Sequence, residues 1–127
     1  MKTISDDTEV IYRYTREQAI EDGVIVDLTD NPLVREVGFR VPVAVTNGVF
    51  SLLQPPKELE PYQDFNGRLW DLLILAKLEV KRMIKQEDWL GTFKVIFQVS
   101  PRKRELKEFF ITFNELEGFT IMLPSDY

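Results

Sequence analysis

Gly67–Gln86 reads GRLWDLLILAKLEVKRMIKQ, and Thr92–Val99 reads TFKVIFQV. The hydrophobic period changes between them, and that change decides the fold. In the first stretch Leu69, Leu72, Leu73, Ala76, Val80, Met83 and Ile84 recur at the spacing of one helix face. Trp70, Ile74 and Leu78 widen the stripe, so this helix is expected to be covered on more than one side. Lys77, Lys81, Arg82 and Lys85 fill the remaining face, with cations toward the C-terminus as the helix dipole prefers. Asn66 is expected to cap the helix, with Phe65 and Trp70 spaced as a hydrophobic staple.

In the second stretch Phe93, Val95, Phe97 and Val99 alternate with Lys94, Ile96 and Gln98, the period of a strand. The same alternation returns at Phe109, Ile111 and Phe113, and again at Phe119, Ile121 and Leu123. Short turns at 100–104 and 114–118 separate the three runs. The simplest reading is an antiparallel meander with one apolar face, which needs a cover. The fold class is therefore α+β, with the long central helix and shorter helices on one face of an antiparallel sheet.

Working back from the helix, the punctuation is clear. Val10–Tyr14, VIYRY, suits a short strand. Thr15 followed by Gln18 is a capping box, and Gly23 suits the left-handed position after a short helix. Val24–Leu28 reads as a strand. Asn31-Pro32 starts a helix that closes at Gly38. Phe39–Val45 is ambiguous: Pro42 argues against a central strand, so an extended lead-in and a helix from Pro42 or Thr46 to about Gln54 are expected. Pro55-Pro56 ends that helix. The early strands are expected to join the sheet edge or form a hairpin of their own.

The 127 residues suit one domain, 1–127, with 1–9 expected to be mobile. The chain has no His and no Cys. That removes imidazole general bases, thiolate nucleophiles, disulfides and His- or Cys-ligated metals. MKTISDDTEV at the start has no apolar core of a signal peptide, and the apolar run near 69–80 is interrupted by Asp71, Lys77 and Glu79. A cytoplasmic protein with no membrane contact is expected. The net charge of −5 is uneven: residues 1–66 carry 6 basic and 12 acidic side chains, and residues 67–127 carry 10 and 9.

Four blocks carry a family resemblance. They are Tyr14–Val24 (YTREQAIEDGV) with Val26-Asp27, Glu36–Ala44 (EVGFRVPVA), Gly67–Leu73 (GRLWDLL) and Thr120–Pro124 (TIMLP). In this order they resemble a family of small uncharacterised bacterial proteins carried mostly on plasmids, phages and other mobile elements. The chain departs from the pattern in the prolines before Gly67 and in its compact hairpin, both in expected loops. The resemblance implies an accessory protein of a mobile element in a bacterial cytoplasm, and it implies no activity.

Three functions remain. The leading one is a non-enzymatic protein-binding accessory, acting against a host defence or in plasmid maintenance. Its contact candidates are Arg16, Glu17, Glu21 and Asp22 on the first helix, where acidic charge would attract a basic partner. The second is a nucleic-acid-binding accessory using Arg102, Lys103 and Arg104 at a hairpin tip. The third is a carboxylate-based enzyme. Trp70 reads as a core anchor, and Arg68 and Asp71, three apart on a helix, read as a local ion pair. Asp6, Asp7 and Glu9, or Asp27, Asp30 and Asn31, lack the spacing of a calcium loop, so no metal is expected. No cofactor is implied, and the chain is expected to be a monomer or homodimer.

Overall fold

The computed structural model describes residues 15–61 and 63–127. The expected strand at 10–14 and the expected mobility of 1–9 lie outside them. Helix α1 spans Arg16–Glu21, β1 Ile25–Asp27, α2 Pro32–Val37, β2 Val43–Thr46 and α3 Asn47–Leu52. After a 3₁₀ turn at Lys57–Leu59 come α4, Phe65–Gln86, and the strands β3, Leu90–Ser100, β4, Lys103–Asn114, and β5, Gly118–Met122. A last 3₁₀ turn covers Pro124–Asp126.

Local chemistry sets most of these boundaries. Thr15 caps α1 with both halves of the capping box made, the Gln18 N–H to its hydroxyl at 3.1 Å and its own N–H to Gln18 Oε1 at 3.0 Å. Asn31 caps α2 with Pro32 in the first turn, and Gly38 ends it at φ 113°. The cap of α4 is Asp64, not Asn66: its Oδ1 accepts from the Gly67 N–H at 2.7 Å. The helix therefore starts two residues early, and Phe65 lies inside its first turn rather than ahead of the cap.

The sheet is five-stranded in the order β1-β2-β5-β4-β3. The meander β3-β4-β5 is antiparallel, as its alternation requires. The sheet is mixed, however, because β2 runs parallel to β5, pairing Val43 with Phe119 and Val45 with Ile121. β2 is also a central strand despite Pro42. The proline stands one residue before the strand, so its missing N–H removes no ladder bond, and its carbonyl still accepts from the Phe119 N–H at 2.9 Å. Thr46 ends β2 and caps α3 through Val49, and its hydroxyl donates to Asp126 Oδ2 at 2.7 Å, clipping the C-terminal turn onto the same corner.

One face of the sheet meets α4. Val43, Val45, Val95, Phe97, Phe109, Ile111, Phe119 and Ile121 pack against Leu69, Leu72, Leu73, Ala76, Val80 and Met83. Each of these side chains other than Ala76 contributes about 1.5–3 kcal/mol on burial. The helix stripe is narrower than its sequence suggests: Trp70, Ile74 and Leu78 stay 39%, 37% and 57% exposed, and Ile84 is 72% exposed. Among the described residues nothing covers this second side. Trp70 is thus not the buried anchor that its position implies.

Arg68 makes no pair with Asp71. It is buried, its Nη1 donating to Leu52 O at 2.7 Å, its Nη2 to Gln98 O at 2.5 Å, and Nε and Nη2 to Gln63 Oε1. The guanidinium lies 5.1 Å from the Phe97 ring centre. Burial lowers its pKa. One face of the helix therefore ties down the C-terminal end of the edge strand β3.

Glu79 ties down the other end. Its Oε2 accepts from the Thr92 N–H at 2.8 Å, and it also pairs with Arg82 at 2.9 Å. The hydrogen bond from Arg82 holds the Glu79 carboxyl below its ordinary pKa, the Thr92 N–H adds to this, and burial opposes it. A carboxyl depressed in the native state contributes stability above its unfolded pKa and loses it as pH falls through the native value. Urea midpoints measured from pH 7 to pH 3 should therefore fall less steeply in Glu79→Gln than in the parent chain. Parallel acid limbs would show that this tie is energetically silent.

Candidate functional site

A large apolar concavity lies where the end of α4, the α2–β2 corner and the ends of β4 and β5 meet. Its volume is about 800 Å³. Each wall follows from a local device. The left-handed Gly38 turns the chain so that Phe39 is buried while Arg40 and Val41 face outward. Lys77 reaches from α4 to donate to Val37 O at 2.9 Å, which fixes this corner and places a cation at the end of α2. At the other end Glu87 adopts φ 57° and stops α4, and the chain reverses to bring Trp89 across the opening.

Four aromatic rings form a continuous wall. Trp89 stacks on Phe113 at 5.8 Å and 15°, Phe113 meets Phe119 at 4.8 Å, and Phe119 meets Phe39 edge-on at 5.6 Å. Phe113 and Phe119 are cross-strand partners, so the β4–β5 register builds the middle of the wall. Phe39 and Phe119 are buried, but Trp89 is 57% exposed. Val80, Met83 and Ile84 of α4 form the facing side.

The rim is charged and polar in sense. Arg40 and Lys81 are exposed and have no ion-pair partner among the described residues; Arg40 and Lys77 mark one end, and Lys81 stands one helical turn further along α4. Glu87 and Asp88 mark the other, where Asp88 is held by Arg82 at 2.7 Å. A smaller cavity of about 500 Å³ surrounds Arg68, with Glu60, Asp64 and Asp71 around it. Its one buried cation already spends its donors on protein acceptors, so it presents no comparable binding surface.

None of the sequence candidates lines the groove. Arg16 is half-buried and fastens α1 to the β4–β5 turn: its N–H donates to Glu117 Oε2 at 2.8 Å, and its guanidinium to Glu117 O and to Phe119 O. Burial lowers its pKa, opposed by Asp27 and Glu117. Glu17, Glu21 and Asp22 are exposed on and just after α1. Arg102 lies in the hairpin turn, whereas Lys103 and Arg104 already belong to β4, where alternation sends them to opposite faces. Lys103 and Lys107 both pair with Glu105, at 3.5 and 2.9 Å, which divides the basic cluster further. These two cations lower the Glu105 pKa, Lys107 the more strongly.

Among the described residues no three acidic side chains gather as a metal site, and no helix is long and apolar enough to cross a membrane. Sequence reasoning missed the groove because its parts come from five segments. The available signal was Trp89, an aromatic directly after a polar helix end. In the comparisons with known proteins, no family model, no curated protein and no solved structure matches the chain.

Proposed function

We propose that this protein is a non-enzymatic accessory that binds another protein through the aromatic groove, in the cytoplasm of a bacterium carrying a mobile element. The observation that carries this reading is the wall from Trp89 to Phe39 facing the 72% exposed Ile84. Trp89 and Ile84 leave apolar area exposed at its mouth, at 57% and 72%, and exposed apolar patches mark contact sites. Aromatic anchors beside a polar rim are also the anatomy of protein interfaces. The acidic side chains of α1 then steer a basic partner rather than hold it. The resemblance supports an accessory role against a host defence or in plasmid maintenance, and supplies no chemistry.

The test compares three forms as bait in extract from cells that carry the gene: the parent chain, Ile84→Glu, and Arg102→Ala/Lys103→Ala/Arg104→Ala. Ile84 is exposed, so its change leaves the core intact. A partner should be retained by the parent and by the hairpin variant and lost by Ile84→Glu. With purified partner the loss should be at least about tenfold in Kd, the equivalent of about 1.4 kcal/mol. Equal retention by Ile84→Glu removes the groove from the function. Loss in the hairpin variant, with a salt-sensitive shift of duplex DNA, transfers the function to nucleic acid.

A further inference from the structure

We infer that a second copy of this chain covers the exposed side of α4, with the two α4 helices antiparallel about a two-fold axis at Ile74. This surface is separate from the groove, and the inference stands independently of the protein-binding reading. Trp70, Ile74 and Leu78 are spaced four apart and form one ridge along the helix. Leu72, Ala76 and Met83, on the opposite side, are buried against the sheet, so the ridge points away from it. Its side chains are 39%, 37% and 57% exposed. Beside it lies a concavity of about 460 Å³, between Trp70 and Ile74 of the helix and Ile96 and Leu106 of the hairpin. Ile96 and Leu106 are cross-strand partners and are exposed, so the apolar surface continues from α4 onto the edge strand β3.

The occupant is read from charge. Ile74 stands midway along the ridge. Before it the exposed charged side chains are Asp64 and Asp71, and after it they are Lys81 and Lys85. At 3.6 residues per turn both lysines lie within about 20° of Ile74 around the helix, and Asp71 within about 60°. Asp71, Lys81 and Lys85 have no ion-pair partner among the described residues.

A surface that is acidic on one side of a point and basic on the other is its own complement under a two-fold rotation through that point. An antiparallel pair sets the acids of each copy beside the lysines of the other, and does so twice. A parallel pair would set like charge beside like charge. Antiparallel helices also place the positive end of each macrodipole beside the negative end of the other. In this arrangement Leu78 of the second copy lies opposite Trp70, over the concavity between the helix and β3.

The experiment uses the full chain alone. In sedimentation equilibrium its mass should rise from 14.9 kDa toward twice that as the concentration is raised to about 500 µM, the behaviour of a small, reversible interface. Leu78→Arg should weaken association at least about tenfold while its far-UV circular dichroism matches the parent's, because Leu78 is exposed. Asp71→Lys alone and Lys81→Glu/Lys85→Glu alone should each weaken association about threefold, since exposed pairs are individually weak. An equimolar mixture of these two variants should regain the parent's affinity. The chain has no Cys, so single cysteines report the direction without background. Ile74→Cys should be joined to its copy by a short bismaleimide, whereas Lys85→Cys, about 33 Å from its copy in this arrangement, should not.

A parent chain that stays at 14.9 kDa throughout overturns the inference. Linkage of both cysteine variants makes the pair parallel and overturns its direction, and association insensitive to Leu78→Arg places the contact elsewhere. If the parent stays single while Leu78→Arg loses a captured protein, a different protein covers this side and the inference is wrong. Self-association lost in Leu78→Arg while capture through Ile84 persists supports the inference and leaves the groove reading untouched.

Discussion

Arg68→Met should lower the free energy of unfolding by about 2–5 kcal/mol, because it removes a charged donor from two part-buried carbonyl groups, at about 1–3 kcal/mol each. Leu52 O at the end of α3 and Gln98 O on the edge of β3 both depend on this guanidinium. Met preserves the apolar stem beside Phe97, so the loss reports the hydrogen bonds rather than packing. Arg68→Lys should lose less than Met but should not restore the parent value. A single ammonium cannot serve acceptors on two segments with the planar fork of arginine. Urea unfolding should show a lower midpoint with an unchanged slope. An Arg68→Met midpoint within about 0.5 kcal/mol of the parent, the usual range for a surface substitution, would mean that the clamp carries no weight.

Gly118→Ala should be of comparable size, about 3 kcal/mol or more. Two costs combine there. The residue holds φ 87°, which costs alanine about 1–2 kcal/mol. A Cβ would also lie 2.2 Å from Pro42 O and 3.0 Å from Pro42 C, both backbone atoms. Retreat of that carbonyl breaks its bond from the Phe119 N–H, at the start of the β2–β5 pairing. That pairing joins the first half of the chain to the meander, so the change should also disturb the Phe39–Phe119 contact in the groove. Gly23→Ala is the control: φ is 73°, but nothing lies within 4 Å of the added atom. It should cost only the backbone share, about 1–2 kcal/mol. Equal losses in thermal melts of the two variants would show that the approach of Pro42 to Gly118 is not tight in solution.

Both variants act where sequence reading stopped. Arg68 stands between helix formers and opposite no marked partner, so a local ion pair with Asp71 was the economical expectation. Its backbone acceptors lie 16 and 30 residues away. The strand β2 was obscured for a different reason. Rules about proline concern the residue itself, and Pro42 stops just short of the ladder. Val43–Thr46 are buried throughout, so neither a period of two nor one of 3.6 distinguishes them. Exposure was equally hidden at Trp70, Ile84 and Trp89. A hydrophobic residue states a preference, and whether a neighbour meets it depends on the placement of distant segments.

Short-range chemistry alone determined where this chain turns, which residues cap its helices, and which face of each late strand is apolar. Those outcomes depend on contacts within a few residues, and sequence order supplies such contacts directly. Tertiary structure alone decided that β2 lies parallel to β5, that Arg68 clamps β3, and that four aromatic rings from separate segments line one groove with its far side open. Each of these joins groups that are remote along the chain, and their proximity follows only from how the α4 and sheet layers pack. The absence of His and Cys excluded much chemistry from the start. The packing decided which apolar side chains stayed exposed.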